Sequence, residues 1–316
     1  MKKFNSVKTG GQINQVSLDC ILPEYFSICG GKMGNLKIAV IYFSATHVTK
    51  SYAGTIHADL VARGCQSRQS DVTSFSARQT RLPVGEFDAF IFGFPVFADF
   101  APSVINDWLA TLDGQGKPCA MFFTYGGRTS GYAHFHTLSL LEAANFRVRF
   151  TAEFLGRHSF NVAGWRALPN RPDERDFSVA REFAALAVER FSTGGADGFT
   201  LQKPFGYPRA LEELRAKERG HERRWTNPVR VGDCSLCGDC EEECPNQAID
   251  HLTGESDPAS CIECMHCVYI CPDRVLKVDD QMGPFYPTFL KEWNLTDEIM
   301  EHKRSKVITA AWQAVF

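Results

Sequence analysis

The sequence predicts an α/β protein in which a five-stranded, doubly wound parallel sheet is followed by a small, cysteine-rich domain. Between residues 36 and 192, short apolar runs alternate with stretches of helical spacing, which is typical of parallel strands buried on both faces. Between residues 231 and 280 the chain concentrates eight of its twelve cysteines. These two observations divide the 316-residue chain into unlike parts.

The first part of the alternation begins with the apolar, β-branched run 36–43, which predicts a buried strand. A helix is predicted over 50–64, because Tyr52, Ile56 and Leu60 share one face there. A shorter edge strand is predicted over 69–75.

The second part of the alternation predicts three more strands and three more helices. The strands are the runs 87–92, 119–125 and 147–155, and the helices are 102–112, 132–145 and 176–191. Ligands of such sheets bind at the carboxyl ends of the strands, beside the switch in strand order. The loops 44–49, 94–101 and 126–131 should meet there.

The loop 44–49 follows the first strand, opens a helix and is rich in hydroxyl groups. A phosphate at this position would receive helix N-terminal N–H groups and hydroxyl donors. The chain lacks G-x4-G-K-[ST], and no strand leads into G-x-G-x-x-G, which disfavours a P-loop and a Rossmann nicotinamide site. The loop suits the monoester phosphate of FMN, although an ordinary helix N-cap is the default interpretation of the loop taken alone.

The loop resembles the [ST]-x-T-G-N-T phosphate loop of flavodoxins. Ser44, Thr46 and Thr49 match that pattern, whereas His47 and Val48 replace the usual Gly and Asn. The resemblance implies an FMN site whose residues are Ser44, Ala45, Thr46, His47, Val48, Thr49, Pro95, Val96, Phe97, Ala98, Thr124, Tyr125, Gly126 and Gly127.

The cysteines form two copies of one run, C-x2-C-x2-C-x3-C-P. The first copy is Cys234, Cys237, Cys240 and Cys244, and the second is Cys261, Cys264, Cys267 and Cys271. Zinc sites use paired C-x2-C knuckles, and a disulfide framework would be expected behind a signal peptide, which the polar N-terminus does not resemble.

The paired run is similar to that of bacterial two-cluster ferredoxins, in which the fourth cysteine of each run binds the other run's cluster. The similarity implies two [4Fe–4S] clusters, one held by Cys234, Cys237, Cys240 and Cys271 and the other by Cys261, Cys264, Cys267 and Cys244. A purely structural role of the clusters is the alternative. Taken together, the chain resembles the flavodoxin–ferredoxin fusion proteins of anaerobes and facultative bacteria.

The expected organisation has five segments: an N-terminal extension (1–35), a flavodoxin-like FMN-binding domain (36–192), a linker with a charged helix (193–230), a small α+β ferredoxin-like domain (231–280) and a C-terminal segment (281–316). The charged helix is predicted over 211–225, and Met33 would make a natural start. In the last segment, Thr296 would cap a docking helix whose face carries Met300, Val307, Ile308, Ala311, Trp312 and Val315.

The charge is unevenly distributed along the chain. Residues 231–280 carry a net charge of −10 and residues 201–230 a net charge of +4. This pattern predicts steering of protein partners, or contact between the two segments. The basic segment is short and lacks interleaved aromatics, which disfavours nucleic acid. Without a membrane-spanning run, and with scattered free cysteines, the chain is expected in a reducing cytoplasm.

These observations predict an iron–sulfur flavoprotein oxidoreductase that takes electrons from a ferredoxin or reductase and relays them through the clusters to FMN and an unidentified acceptor. Tyr125, Arg157 and His158 are its candidate catalytic residues, although a hydrogen-bonded surface histidine is the commoner explanation of such a loop. An electron carrier without a small-molecule substrate and a redox sensor are the alternatives. The extended loop 156–172 favours the oxidoreductase.

Overall fold

A computed structural model describes residues 35–193, 199–220 and 227–309 of the chain. Most of the predicted N-terminal extension, including Cys20 and Cys29, lies outside the described residues. The same holds for Ala311, Trp312 and Val315 of the predicted C-terminal face.

A six-stranded sheet forms the centre of the described part of the chain. Its strands are β1 (Lys37–Tyr42), β2 (Gln66–Asp71), β3 (Ala89–Pro95), β4 (Pro118–Tyr125), β5 (Arg147–Leu155) and β8 (Lys306–Ile308). They lie in the order β2-β1-β3-β4-β5-β8, and the first five are parallel. The predicted five-stranded parallel sheet is therefore confirmed. Its order is that of the flavodoxin-like doubly wound fold, whose switch point lies between β1 and β3.

Helices cover both faces of the sheet. They are α1 (Val48–Ala62), α2 (Phe75–Gln79), α3 (Ser103–Leu109), α4 (Ala133–Ala143) and α5 (Glu174–Ser192), with 3₁₀ turns at Val84–Glu86 and Ser159–Ala163. The helices α1 and α5 bury their apolar sides in one core, and α3 and α4 bury theirs in the other. Because β1, β3 and β4 are covered on both faces, their sequences are mainly apolar, whereas β5 is equally buried but includes Arg149, Thr151 and Glu153.

The cysteine-rich segment is built on two short helices and a two-stranded ribbon. After α6 (Tyr207–Gly220) come β6 (Val229–Arg230), α7 (Asp239–Glu242), α8 (His266–Ile270) and β7 (Leu276–Lys277). The strands β6 and β7 pair antiparallel, so the ribbon closes the segment around both cysteine runs.

The two cysteine runs share one backbone path. Left-handed residues occur two, four and thirteen positions after the first cysteine of each run: Leu236, Gly238 and Gln247 in the first, Glu263, Met265 and Arg274 in the second. Five of these six are not glycine, which is uncommon at positive φ. The repeat in sequence is thus a repeat in structure.

The predicted C-terminal docking helix is only partly correct. Thr296 does cap a helix, accepting a hydrogen bond from the Ile299 amide, but this helix, α10, spans only Asp297–His302. Lys303 turns the chain into an extended conformation, and Val307 and Ile308 lie in β8, which pairs antiparallel with β5. A further helix, α9 (Met282–Glu292), precedes α10. Edge pairing with β5 satisfies backbone groups that a longer helix would have left exposed.

Candidate functional site

The loop between β1 and α1 presents a row of unused backbone donors at the switch point of the sheet. In the described part of the chain, the amide N–H groups of residues 46–49 have no hydrogen-bond acceptor, and neither does the Thr46 hydroxyl. Ser44 Oγ accepts from the Lys50 amide at 3.0 Å, which holds the loop against the first turn of α1. Such a set of N-terminal donors fits a phosphate group.

Two neighbouring loops form a wall beside this donor row. Phe97 and Phe100 exchange backbone hydrogen bonds of 2.7 and 2.9 Å, so that Ala98 and Asp99, both at positive φ, occupy the tip of a tight turn. The Asp99 carbonyl accepts from the Tyr132 amide at 2.7 Å, which ties this turn to the loop after β4. The wall is therefore rigid, and it lies at the carboxyl ends of β3 and β4.

The loop after β5 forms the opposite wall. His158 is partly exposed, and its Nδ1 accepts from the Phe160 amide at 3.1 Å. The hydrogen of the neutral ring is therefore on Nε2, which has no hydrogen-bond partner in the described part of the chain. Burial, followed by the nearby Arg128 charge, lowers the pKa of His158 to about 4. At neutral pH this ring is a fixed hydrogen-bond donor and not an acid.

The predicted site residues divide between two connected pockets. The donor-row pocket is lined by Ser44, Ala45, Thr46, Val48, Thr49, Pro95, Val96, Phe97, Thr124, Tyr125 and Gly126, together with Arg157 and His158. Ala98 lines the adjoining cleft. The other two predicted residues, His47 and Gly127, line neither pocket. His47 lines a third pocket together with Ser51 and Arg157, and a Cβ on Gly127 would come within 2.8 Å of Met300 Sδ.

The adjoining cleft has a volume of about 350 Å³ and is open to solvent. Its walls are aromatic, with Phe160 and Trp165 on one side and, on another, Phe285 and Phe289 of α9 and Trp293, which directly follows α9. Ile262 and Glu263 of the second cysteine run complete it. The sequence did not indicate that α9 or the cysteine run would line this cleft.

Tyr125 lines both pockets, and its side chain is buried. Burial, followed by the charge of Glu153, raises the pKa of Tyr125 far above its ordinary value. Its hydroxyl therefore stays protonated. Thr124, its neighbour at the end of β4, hydrogen-bonds the Thr49 hydroxyl at 2.8 Å across the pocket floor.

Four cysteines from both runs meet around one pocket of the cysteine-rich segment. Cys234, Cys237 and Cys240 of the first run line this pocket together with Cys271 of the second. This grouping is the crossed set implied by the resemblance to two-cluster ferredoxins, and a donor set of four thiols suits iron.

The other four cysteines lie close enough to perturb one another. Burial, followed by the charges of Cys267, Cys261 and Cys244, raises the pKa of Cys264 well above its ordinary value. Burial and the charges of Cys261 and Cys244 raise the pKa of Cys267 to about 12. A thiol cluster of this kind needs metal to become thiolate, and the Ala248 amide already points at Cys244 Sγ from 3.2 Å.

The cysteine-rich segment packs directly on the donor row. His266, one residue before Cys267, donates from Nδ1 to the Ala45 carbonyl at 2.7 Å in a buried hydrogen bond. The Tyr269 ring meets His47 edge-on, with centroids 4.9 Å apart. The Cys244 carbonyl accepts from the Phe75 amide at 3.2 Å. Sequence reasoning missed these contacts, although the unusual His47 in the loop was a signal.

The Arg78 side chain joins the same two parts of the structure. It is buried, and its Nη1 donates to three carbonyls after β2, those of Val72, Thr73 and Ser74, at 2.8 to 3.1 Å. Its Nη2 donates to the Pro245 carbonyl of the first cysteine run. Arg78 therefore fixes the position of the cysteine-rich segment against the sheet.

Comparisons with known proteins match the two parts separately. Residues 229–272 match a family model described as a 4Fe-4S dicluster domain. A ferredoxin-like protein in the nif region of Sinorhizobium fredii is 44% identical over 53 residues, which cover 14% of this chain and 81% of that protein.

Among solved structures, similar chains include a flavodoxin from the domain Archaea, with 17% identity, 49% of this chain and 99% of that chain covered, and a TM-score of 0.37. A flavodoxin of Streptococcus pneumoniae has 15% identity, coverages of 48% and 99%, and a TM-score of 0.35. A rubredoxin oxygen:oxidoreductase from Desulfovibrio gigas has 18% identity, coverages of 50% and 37%, and a TM-score of 0.37. The strand order, and not these similarities, assigns the fold of residues 37–155.

Proposed function

The chain belongs to the ferredoxin-like proteins through its 4Fe-4S dicluster domain, and from that premise we propose that it is an iron–sulfur flavoprotein oxidoreductase. It would relay low-potential electrons singly through two [4Fe–4S] clusters to FMN and then to an acceptor. One observation carries the proposal: Cys264 belongs to the same buried core as Phe94 at the switch point, and its neighbours Ile262 and Glu263 line the aromatic cleft.

The exposure of the two cysteine sets gives the relay a direction. Cys237 is exposed and Leu236 beside it is 49% exposed, whereas Cys264 is buried against the sheet. The set with Cys237 would therefore receive electrons from a partner, and the set with Cys264 would pass them toward the flavin. The net charge of −10 on residues 231–280 suits a donor, a ferredoxin or a reductase, that presents cationic groups around its redox centre.

FMN fits the unused donor row. The N–H groups of residues 46–49 and the Thr46 hydroxyl would bind its phosphate, and the loops after β3, β4 and β5 would hold its ring in the adjoining cleft. When bound, FMN would supply redox chemistry that accepts electrons one at a time and releases them singly or as a pair.

The protein's own groups would position and shield the reaction. His158 would donate from Nε2 to a carbonyl oxygen in the cleft, and the aromatic side chains of α9 would exclude water from it. Tyr125 would act as a neutral hydrogen-bonding group, because its phenol does not ionise near neutral pH. Arg157 and His158 stand at the mouth of the donor row, where an anionic acceptor would arrive.

We also propose the domain limits given above and a cytoplasmic location. No helix in the described ranges is long and apolar enough to cross a bilayer. An electron carrier without a small-molecule substrate is the second candidate. The acidic, partly apolar surface around Cys237 suits that alternative as well, because a protein acceptor could dock there at the redox centre.

The cofactors are tested by anaerobic purification followed by iron, sulfide and flavin analysis. We expect eight irons and one FMN per chain, and a flavin-free protein after reconstitution would contradict the relay. Cys240→Ala and Cys271→Ala should each abolish the same cluster signal in electron paramagnetic resonance, and Cys244→Ala should abolish the other. Loss of different clusters in Cys240→Ala and Cys271→Ala would contradict the crossed arrangement.

Enzyme and carrier are distinguished by the oxidation of the reduced protein. The oxidoreductase predicts saturable turnover with small-molecule oxidants that enter the aromatic cleft, and Trp293→Ala should change the KM of that turnover. The carrier predicts slow reaction with every small molecule and fast, salt-dependent reaction with a protein acceptor.

A further inference from the structure

Arg157 is the one permanently charged side chain among the described residues that line the donor-row pocket. The other lining groups are apolar residues, hydroxyls, glycines and the neutral His158 ring, and the pocket-lining set includes no carboxylate. A phosphate dianion in this pocket would therefore meet N–H dipoles, hydroxyls and a single guanidinium.

The position of Arg157 depends on the cysteine-rich segment. Its Nη2 donates to the Tyr269 hydroxyl at 3.3 Å, and its backbone amide donates to the Arg171 carbonyl at 3.0 Å. The side chain is exposed, so without a second anchor it would sample many rotamers and lose entropy on binding a ligand. Tyr269 supplies the anchor from the last turn of α8, two residues after Cys267.

Tyr269 also contacts His47, the residue at positive φ in the loop between β1 and α1. His47 has φ 62°, a left-handed conformation that costs free energy for any residue with a Cβ. The edge of the Tyr269 ring against His47, at 4.9 Å, and the His266 bond to the Ala45 carbonyl hold the loop in this shape. One turn of α8 thus fixes both the N–H row and the guanidinium beside it.

We propose that Arg157 is the counter-cation for the phosphomonoester of the flavin, and that Tyr269 is its positioning residue. The inference rests on the proposed binding of FMN. A guanidinium forms strong, charge-assisted hydrogen bonds to phosphate oxygens, whereas the N–H row offers only dipoles. The site would therefore be completed by the cluster-bearing segment, and it would select a phosphorylated flavin over riboflavin.

The test compares FMN with riboflavin, because riboflavin shares the ring and ribityl chain and lacks the phosphate. Both affinities are measured by flavin fluorescence quenching, under anaerobic conditions, in the cluster-loaded full chain. For Arg157→Gln we expect the affinity for FMN to fall about 10- to 100-fold and the affinity for riboflavin to change less than about twofold. The salt dependence of FMN binding should fall as well.

Tyr269→Phe keeps the ring against His47 and removes the hydroxyl that holds Arg157. We expect it to weaken FMN about 3- to 10-fold, again without an effect on riboflavin. Arg166→Gln is the matched control, because Arg166 is an exposed arginine of the same loop that lines none of these pockets. It should leave both affinities unchanged.

Three outcomes would overturn the inference. Arg157→Gln that binds FMN like the unaltered chain contradicts the counter-cation, and equal losses for FMN and riboflavin show a structural effect. If the unaltered chain binds neither flavin, the proposed FMN site fails together with this inference. The iron content and visible spectrum of each variant report separately on the clusters, and Arg157→Gln leaves every cysteine and α8 intact.

Discussion

Replacing Gly126 by alanine should disturb the wall of the cleft by a predictable amount. A Cβ at this position would lie 2.5 Å from His158 Cδ2, 2.8 Å from Cβ and 2.9 Å from Cγ. Because His158 Cβ is one of these atoms, rotating the ring would not relieve the contact, and the loop after β5 must move. The ring is also held by Trp165 at 4.8 Å and by the Phe160 amide.

Overpacking of this kind costs about 1–3 kcal/mol. We therefore expect Gly126→Ala to lower the free energy of unfolding by about that amount, measured from urea midpoints by circular dichroism under anaerobic conditions. The flavin affinity should fall too, because the shifted loop carries the Nε2 donor. Gly54→Ala in α1 is the control: a Cβ there has nothing within 4 Å, so it should stabilise the helix by about 0.5–1 kcal/mol.

A double-mutant cycle with His158→Gly tests whether the loss of stability comes from the contact between the new Cβ and His158. His158→Gly alone is costly, but it removes every side-chain atom that the new Cβ would meet. The double variant should therefore be little less stable than His158→Gly, with a coupling energy of about 1–3 kcal/mol. Additivity of the two substitutions within about 0.5 kcal/mol would refute the steric explanation.

Three further predictions concern stability. Arg78→Met should lower the free energy of unfolding by about 2–4 kcal/mol, because it leaves the carbonyls that Arg78 holds, including that of Pro245, without their charged donor; urea midpoints measure it. Thr296→Ala should cost about 1 kcal/mol and lower the melting temperature, since α10 loses its N-cap bond; Thr296→Ser should restore it. Burial lowers the pKa of His136 to about 4, so as the pH falls the folded state takes up this proton at a lower pH than the unfolded state does. The contribution of neutral His136 to the free energy of unfolding is therefore full above about pH 6.5 and should fall by about 3 kcal/mol toward pH 4. His136→Gln should flatten that slope in urea titrations carried out at a series of pH values.

The strands that sequence patterns predicted well are those that are buried on both faces. The run 147–155 was predicted with its observed limits, because apolar residues recur at every second position from Val148 to Phe154. The edge strand β2 begins at Gln66, three residues before its predicted start, and it consists of polar residues that carry no hydrophobic period. Its strand conformation comes from pairing with β1 and not from its own side chains.

The C-terminal segment was misjudged for a related reason. Met300 and Val307 are seven positions apart, a spacing that fits one face of a helix. The helix does not continue because the backbone is extended at Lys303 and the chain then pairs with the edge of β5. A strand of three residues, Lys306–Ile308, is too short to show a sequence pattern that would predict this pairing. Residues at 311–315 of the predicted face stay a prediction.

The candidate site was predictable from the sequence wherever one short segment supplies all of the binding groups. The donor row follows from the hydroxyls after β1, and the cysteine sets follow from their spacing. The contact of His266 with Ala45 joins residues 221 positions apart, so no local pattern encodes it. Residue patterns within one segment predict its secondary structure and its ligands. The packing of two distant segments depends on the three-dimensional shape of their surfaces, which these local patterns do not describe.

The two cysteine runs have the same backbone path, and this bears on whether one run could function without the other. Left-handed residues at the same three offsets show that the two runs follow the same backbone path. In the proposed crossed arrangement neither run supplies all four ligands of a cluster, because the fourth cysteine of each run binds the cluster of the other run. A chain with a single run would then have to pair with a second chain to complete a cluster, and deletion of either run from this chain would remove ligands from both clusters. The two runs would therefore depend on each other, and neither cluster could be removed by deleting one run without damage to the other cluster.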